Sequence, residues 1–337
     1  MKTQMQKLIL SLAMLGLVQV VNAQRYGDFY ISTNGDGTCA IEAYAGGYNA
    51  SVLIPQSING IIVTSIESYA FYQDARPISV TMGNSVTNIG DGAFYGCFNL
   101  KKVTIGGGVI RIGESAFENC LSLNIVTIPD SVTTIENYAF SGCYLGNLTI
   151  PNSVTTVGNY AFVDNPFTKL TIPDSVTSIG KGAFAGCSHL TNVTISDRVA
   201  YIGTNAFRNC TSLQQAYFQG NAPSVNGGAG SADSTVFAGE SGTAYHVPGT
   251  TVCGVSFCVF PIALWDPQAT TFSAAGEQFG FNITGPTNAV IVVEACTNFA
   301  NPVWLPVSTN TLTGGASSFS DSQSSNYSSR FYRFRSP

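Results

Sequence analysis

Charge is what this chain has least of. Lys, Arg, Asp and Glu together make up 10% of its 337 residues, where an ordinary soluble domain carries about 25%. The 14 basic residues are outnumbered by 19 acidic ones, and two of the basic ones, Lys2 and Lys7, sit in an N-terminal leader. Without them the 12 that remain leave a net charge near −7. Such a balance offers nothing for a nucleic-acid backbone to hold, and no basic patch for an anionic membrane surface. Histidine is nearly missing, at His189 and His246 alone, and no C-x-x-C pair occurs, which excludes the familiar zinc spacings. Gly106–Gly108 has no following Lys or helix signal to make a phosphate loop, and Gly239–Thr243 fails G-x-S-x-G at its last residue. The acids are scattered one or two to a unit with no visible catalytic pair. No catalytic residue, cofactor or metal is therefore expected. No apolar run beyond residue 21 is long enough to span a bilayer, so the mature chain is not expected to insert into a membrane.

The leader itself is informative. Lys2 and Lys7 precede an apolar run from Leu8 to Val21, and Val21-Asn22-Ala23 presents short residues before Gln24. Residues 1–23 thus read as a secretory signal peptide cleaved near Ala23/Gln24, which places the mature protein outside the cell or on its surface.

What the chain has in abundance is repetition. Seven Ala-Phe dipeptides, ending at Phe71, Phe94, Phe117, Phe140, Phe162, Phe184 and Phe207, recur at intervals of 22 or 23 residues. A period this short means one solenoid turn per unit, whose apolar face is buried only when turns stack. The typical unit carries Cys three residues after Phe, then Leu, then an alternating strand such as Val103/Ile105, Val126/Ile128, Leu148/Ile150, Leu170/Ile172 or Val193/Ile195. Pro129, Pro151 and Pro173 end those strands without breaking a ladder bond inside them. A second short strand, Val132/Ile135, Val154/Val157 or Val176/Ile179, leads to a Gly and a short helical segment that delivers the next Ala-Phe.

These residues carry a resemblance. The pattern Ala-Phe-x-x-Cys-x-x-Leu-x-x-Val-x-Ile-Pro-x-Ser-Val-x-x-Ile-Gly over residues 44–250 resembles the BspA-like, Treponema-type leucine-rich repeat. The resemblance implies an α/β-type solenoid with parallel strands on its concave side and short helical turns on its convex side. It also implies a secreted or surface-displayed protein without catalysis, adhesive in several members. The chain departs from the pattern at Asp74 and Asn165, which replace Cys, and in the two 22-residue units. These should be local irregularities on the convex side. The expected layout is a capping hairpin over 24–50, turning at Asn34–Gly37, and a solenoid of about eight turns over 51–265. The last turn is divergent, around Phe237, and follows the Gly-rich insertion Asn226–Gly230. Asn34–Gly37 reads as a turn and not a calcium loop, since no bidentate acid follows.

Two columns of residues are candidates for chemistry. Cys97, Cys120, Cys143, Cys187 and Cys210 share one register, and Cys behaves as a small buried hydrophobe. Free buried thiols are the expectation, with bridges between adjacent turns as the alternative. Cys253 and Cys258 form the one close pair, a candidate disulfide. The outward strand positions form the second column. Thr81, Thr104, Thr127, Thr149, Thr171 and Thr194, ended by Tyr217, run beside Lys102, Ile125, Asn147, Lys169, Asn192 and Gln215. Threonine favours exposed strands for its own sake, and the functional alternative is a polar surface for an extracellular protein or glycan. A curved face interrupted by Lys102 and Lys169 does not suit ice.

Beyond Trp265-Asp266-Pro267 the periodicity stops. Residues 270–337 read as a small antiparallel β-sandwich-like module with strands at 279–284, 289–295, 304–308, 317–320 and 330–334. Val290–Val293 is its central strand, and Arg330, Arg333 and Arg335 make its end locally basic. The module weakly resembles β modules that close secreted bacterial proteins, where the resemblance implies sorting or attachment. The leading expectation is a binding protein using its concave strand face. An extracellular spacer without a ligand, and an enzyme or accessory subunit acting on extracellular polymers, are the rivals.

Overall fold

The computed structural model describes residues 23–48, 50–225, 235–248, 250, 256–257, 260–275, 278–298 and 302–336. The leader up to Asn22, the Asn226–Gly230 insertion and both members of the Cys253/Cys258 pair lie outside the described residues.

Each repeat contributes one turn to a stack of parallel strands, and the Phe side chains form its axis. Tyr44, Phe71, Phe94, Phe117, Phe140, Phe162, Phe184, Phe207 and Phe237 are buried, with successive ring centroids 4.6–5.6 Å apart. That spacing matches the separation of neighbouring strands, about 4.8 Å, so one ring per turn stacks on the next. Ala, Cys, Leu, Val and Ile from the same turns fill the space around the rings.

The segments expected to be helical are instead open turns, and no α-helix occurs among the described residues. Left-handed φ recurs at residues four apart in each turn, Gly92 (59°) and Gly96 (68°), Ser115 (55°) and Asn119 (59°), Tyr138 (57°) and Gly142 (66°), Tyr160 (57°) and Asp164 (60°). With this backbone, successive N–H groups point in different directions. Ala93, Tyr95 and Cys97 bond locally to Gly90, Gly92 and Phe94, whereas Gly92, Phe94 and Gly96 donate to Glu114, Ala116 and Glu118 of the next turn. A helix would satisfy all of these within itself and leave the turns unlinked on that side. Left-handed φ costs a Tyr on the order of 1 kcal/mol, and the inter-turn bonds over-determine it. Gly182 lies under the Tyr160 ring, where a Cβ would meet Cε1 at 2.4 Å.

The continuous sheet is built by the second, two-residue strands. Asn88–Ile89, Arg111–Ile112, Thr134–Ile135, Thr156–Val157, Ser178–Ile179, Tyr201–Ile202 and Ser224–Val225 pair in parallel, in strict register. At its N-terminal end the sheet continues through Ile61–Ile66 into the antiparallel strands Cys39–Tyr44, Phe29–Thr33 and Gln24–Tyr26. The turn at Asn34 is closed by Asp36, whose carboxylate accepts from the Thr38 amide and hydroxyl at 3.0 and 2.7 Å.

The strands that carry the Thr column divide into two sheets. One holds Ala50–Ile54, Pro77–Met82, Lys102–Thr104 and Ile125–Thr127; the other holds Lys169–Ile172, Asn192–Ile195, Gln215–Phe218, Thr243–His246, Phe260–Leu264 and Ser256–Phe257. Residues 146–150 between them form no strand. This is the first 22-residue unit, where a residue is missing between Phe140 and the strand. The second 22-residue unit lacks the same residue and still forms Lys169–Ile172, so the interruption of the strand face is particular to the first.

At the C-terminal end two three-stranded antiparallel sheets enclose a second core. Gln268–Ala275, Gln278–Thr284 and Ala316–Asp321 make one; Leu305–Thr311, Val290–Cys296 and Phe331–Arg335 make the other, with Val290–Cys296 central. Phe281, Ile283, Ile291, Val293, Leu312 and Phe319 are buried between them, together with Tyr217 and Tyr245 from the solenoid. The strand Gln268–Ala275 has no counterpart in the sequence reading, because Thr and Ser on both faces hide its alternation.

Candidate functional site

The Thr column survives as a surface over only part of its length. Thr81, Thr127, Thr149 and Thr171 are exposed and Thr104 is half-buried, with Lys102, Asn147 and Lys169 exposed beside them. Across paired strands the column is in register, Leu53 beside Thr81, Thr81 beside Thr104 and Thr104 beside Thr127. Thr149 and Asn147 lie in the strandless gap, so the column is not one ladder.

Past Thr171 the same column is buried, with Tyr217 and Tyr245 in the core of the C-terminal sheets. Thr194 is 3% exposed, Gln215 6% and Tyr217 2%. The Tyr217 hydroxyl donates to Gln215 Oε1 at 2.8 Å and accepts from the Val290 amide at 2.9 Å. Gln215 Nε2 donates to the Asn288 carbonyl, and the Tyr245 hydroxyl donates to Thr287 at 3.3 Å. Burial pushes the Tyr217 phenol well above its usual range, which suits a group fixed as a neutral donor and acceptor. Asn192 donates to Gln215 Oε1 and is held in the same network. Thr194, Tyr217 and Asn192 are therefore structural, against the expectation that they line an open surface. The reason is tertiary: a polar aromatic at an outward position can equally be a docking residue. A cavity of about 150 Å³ remains at the seam, lined by Tyr217, Tyr245, Trp265, Phe334 and Arg335 among others.

The hydroxyls of the two Thr columns differ in what they do. Immediately before the two-residue strands, Thr87, Thr133, Thr155 and Thr177 donate to backbone carbonyls of the preceding turn, at 3.1–3.5 Å. Among the described residues Thr81, Thr104, Thr127, Thr149 and Thr171 make no such bond.

The Cys register is packing with one polar function. Cys97, Cys120, Cys143, Cys187 and Cys210 are free and buried, and each Sγ donates to the carbonyl of a Phe in the preceding turn at 3.0–3.3 Å. Asn165 replaces Cys and does the same, Nδ2 donating to Phe140 and Phe162 while Oδ1 accepts from the Leu145 amide. Asp74 is held by Arg76. In the last turn the register holds Glu240, whose Oε1 accepts from the Cys210 amide at 2.6 Å. Oε2 is buried with no hydrogen-bond partner among the described residues, and burial pushes the carboxyl up to about 7.

The terminal arginines are not a free basic patch. Arg333 and Arg335 pair with Glu294 at 2.8 and 2.6 Å, and Arg330 with Asp321 at 2.8 Å. Burial alone would raise the Glu294 carboxyl, but its bonds to Arg335 and Arg333 outweigh that and hold it below the usual range.

Beside the open part of the strand face lie residues that sequence reading passed over. Phe98, Leu121 and Tyr144, each one place after the register Cys, are 48%, 62% and 63% exposed, and Ile125, which the outward column already contained, is exposed next to Lys102. The signal was available, since the same place holds Pro166, Ser188, Thr211 and Ser241 in later turns.

Parallel turns of 22 or 23 residues about a phenylalanine stack define a repeat-protein solenoid. Residues 64–144 and 110–231 match the BspA type leucine rich repeat region in six copies, and the repeat region belongs to that family. Solved structures similar to the chain include a leucine-rich repeat protein of T. pallidum, 24% identical over 58% of this chain and 86% of that one, TM-score 0.43. A leucine-rich repeat protein from Bacteroides ovatus is 21% identical over 68% and 70%, TM-score 0.47. A leucine rich cell surface protein from Faecalibacterium prausnitzii is 22% identical over 73% and 95%, TM-score 0.29. No curated protein matches the chain. Among the described residues no helix is long and apolar enough to cross a membrane.

Proposed function

We propose that this is a non-enzymatic, secreted or surface-displayed binding protein. It holds an extracellular protein or glycan against the uncovered part of its strand face, from Ser79 to Thr171. The observation that carries the reading is the contrast between the two threonine columns. Thr87, Thr133, Thr155 and Thr177, just before the two-residue strands, bond to backbone, whereas Thr81, Thr104, Thr127, Thr149 and Thr171 present a row of unpaired donors and acceptors beside Lys102, Asn147 and Lys169. Such a row costs nothing while hydrated and gains hydrogen bonds when a polar ligand displaces the water. The leader supports export, and the first strand opens at Gln24, directly after the cleavage point.

A screen of the mature chain against extracellular proteins and glycans tests this, repeated with Thr104→Ala/Thr127→Ala and with Thr133→Ala/Thr155→Ala. Binding lost in the first double variant and kept in the second is the expected result. Equal loss in both, or loss in neither, moves the site off this face. No saturable binding at all favours the spacer.

A further inference from the structure

The apolar ridge beside the open strands is a local choice of this chain. The place after the register Cys is Phe98, Leu121 and Tyr144 in three consecutive turns, then Pro166, Ser188, Thr211 and Ser241. Single exposed hydrophobics need no explanation, but three in one register stack into a stripe. Backbone bonds across these turns, Gly96 to Glu118 and Asn119 to Ser141 at 2.8 Å, hold them in step. Successive ridge residues are thus offset by about 4.8 Å, the strand separation, which is close to the length of one pyranose ring.

Charge on this side runs against the rest of the molecule. Of the four lysines after residue 24, Lys101, Lys102 and Lys169 are exposed here, and none is in an ion pair among the described residues. Arg76, Arg111, Arg330, Arg333 and Arg335 are all paired with acids. The outward strand positions carry no Asp or Glu, and Asp130 and Asp174 lie past the prolines at the opposite ends of the strands. A face this short of acids, on a chain of net charge −5, is complementary to an anionic partner.

We propose that the ligand is an acidic polysaccharide lying along the stack of turns, its sugar rings on Phe98, Leu121 and Tyr144 and its acidic groups toward Lys101, Lys102 and Lys169. The proposal rests on the binding reading above and names its partner. Aromatic and aliphatic surfaces take the C–H faces of the rings, and the Thr81–Thr127 hydroxyls with Asn147 take their hydroxyl groups. An extended peptide fits less well: crossing the strands, it would repeat its same-face side chains every 6.6 Å or roughly so, out of step with the turns.

The test is affinity electrophoresis of the mature chain in gels containing polygalacturonate, alginate or chondroitin sulfate. Dextran, galactomannan, polyglutamate and a single-stranded oligonucleotide serve as comparison polymers. Expected are retardation by at least one acidic polysaccharide, weakening with added salt, and affinity reduced about tenfold by Lys101→Gln/Lys102→Gln and by Tyr144→Ala. Both variants should melt with the parent, since these side chains are exposed, and Lys181→Gln should bind as the parent does. Equal retardation by dextran, polyglutamate or the oligonucleotide overturns the proposal, as does retardation indifferent to Tyr144→Ala. If another partner binds and is lost in Thr104→Ala/Thr127→Ala while no acidic polysaccharide binds, the proposal fails and the binding reading stands. If nothing binds through this face, both fail.

Discussion

The strand face of the solenoid has two halves with the same sequence register and opposite fates. Thr81, Thr104 and Thr127 face solvent, whereas Thr194, Tyr217 and Tyr245, the same outward position further along, are buried beneath the C-terminal sheets. The difference teaches that an outward position in a repeat is outward only with respect to its own turn. Whether water or another layer meets it depends on what the rest of the chain brings there. It also gives the C-terminal sheets a physical role, since they cover two stacked tyrosines, 5.0 Å between centroids, that the solenoid alone would leave in water.

The sharpest way to break the comparison is to truncate one residue of each half. Tyr217→Ala should destabilise the protein by about 3–5 kcal/mol, the range for removing a large buried aromatic, and loosen residues 268–336 in hydrogen exchange. A loss under about 1 kcal/mol would mean that the C-terminal sheets do not depend on this contact. At the boundary between the halves, Asn165→Leu leaves the Phe140 carbonyl and the Leu145 amide without Asn165, for about 1–3 kcal/mol. Asn165→Cys, which restores the donor used in the other turns, should recover part of it in denaturant titrations.

A smaller effect, on the order of 1 kcal/mol once partial exposure is discounted, belongs to Glu240 in the covered half. Its folded-state carboxyl titrates near 7, above the ordinary 4.5. Between those values the unfolded chain has already lost the proton that the native state keeps. Stability from this group is complete below about pH 4.5 and lost as pH rises through 7. Thermal melts of Glu240→Gln should lack that slope, and a variant retaining it would assign the slope to another group. Smallest is Thr127→Ala in the open half, expected within about 0.5 kcal/mol of the parent. A larger loss would show that its hydroxyl is bonded within the fold.

Much of the solenoid was legible. The Ala-Phe spacing located the turns, period-2 alternation separated inward from outward residues, and Cys in one register read as buried packing. Five of the C-terminal strands fall within three residues of their expected bounds. What failed did so for identifiable reasons. The turn segments looked helical because Gly and small residues suit several turn geometries, and a backbone with left-handed φ at residues four apart follows from bonds to the neighbouring turn. The strandless stretch 146–150 was not foreseen, because a missing residue does not by itself end the strand: the unit after Phe162 lacks it too and keeps Lys169–Ile172. The candidate site was half legible: its open threonines and lysines lie where the alternation put them, while Asn192, Thr194 and Tyr217 are covered.

The sequence by itself determined the turn, because each unit's burial pattern is local and its Ala-Phe recurs seven times. Only the tertiary structure decided which stretch of the repeated surface is left to a partner. Docking of the C-terminal sheets joins residues more than 70 positions apart, Gln215 and Tyr217 with Asn288 and Val290, and no period in the sequence encodes a contact that is made once.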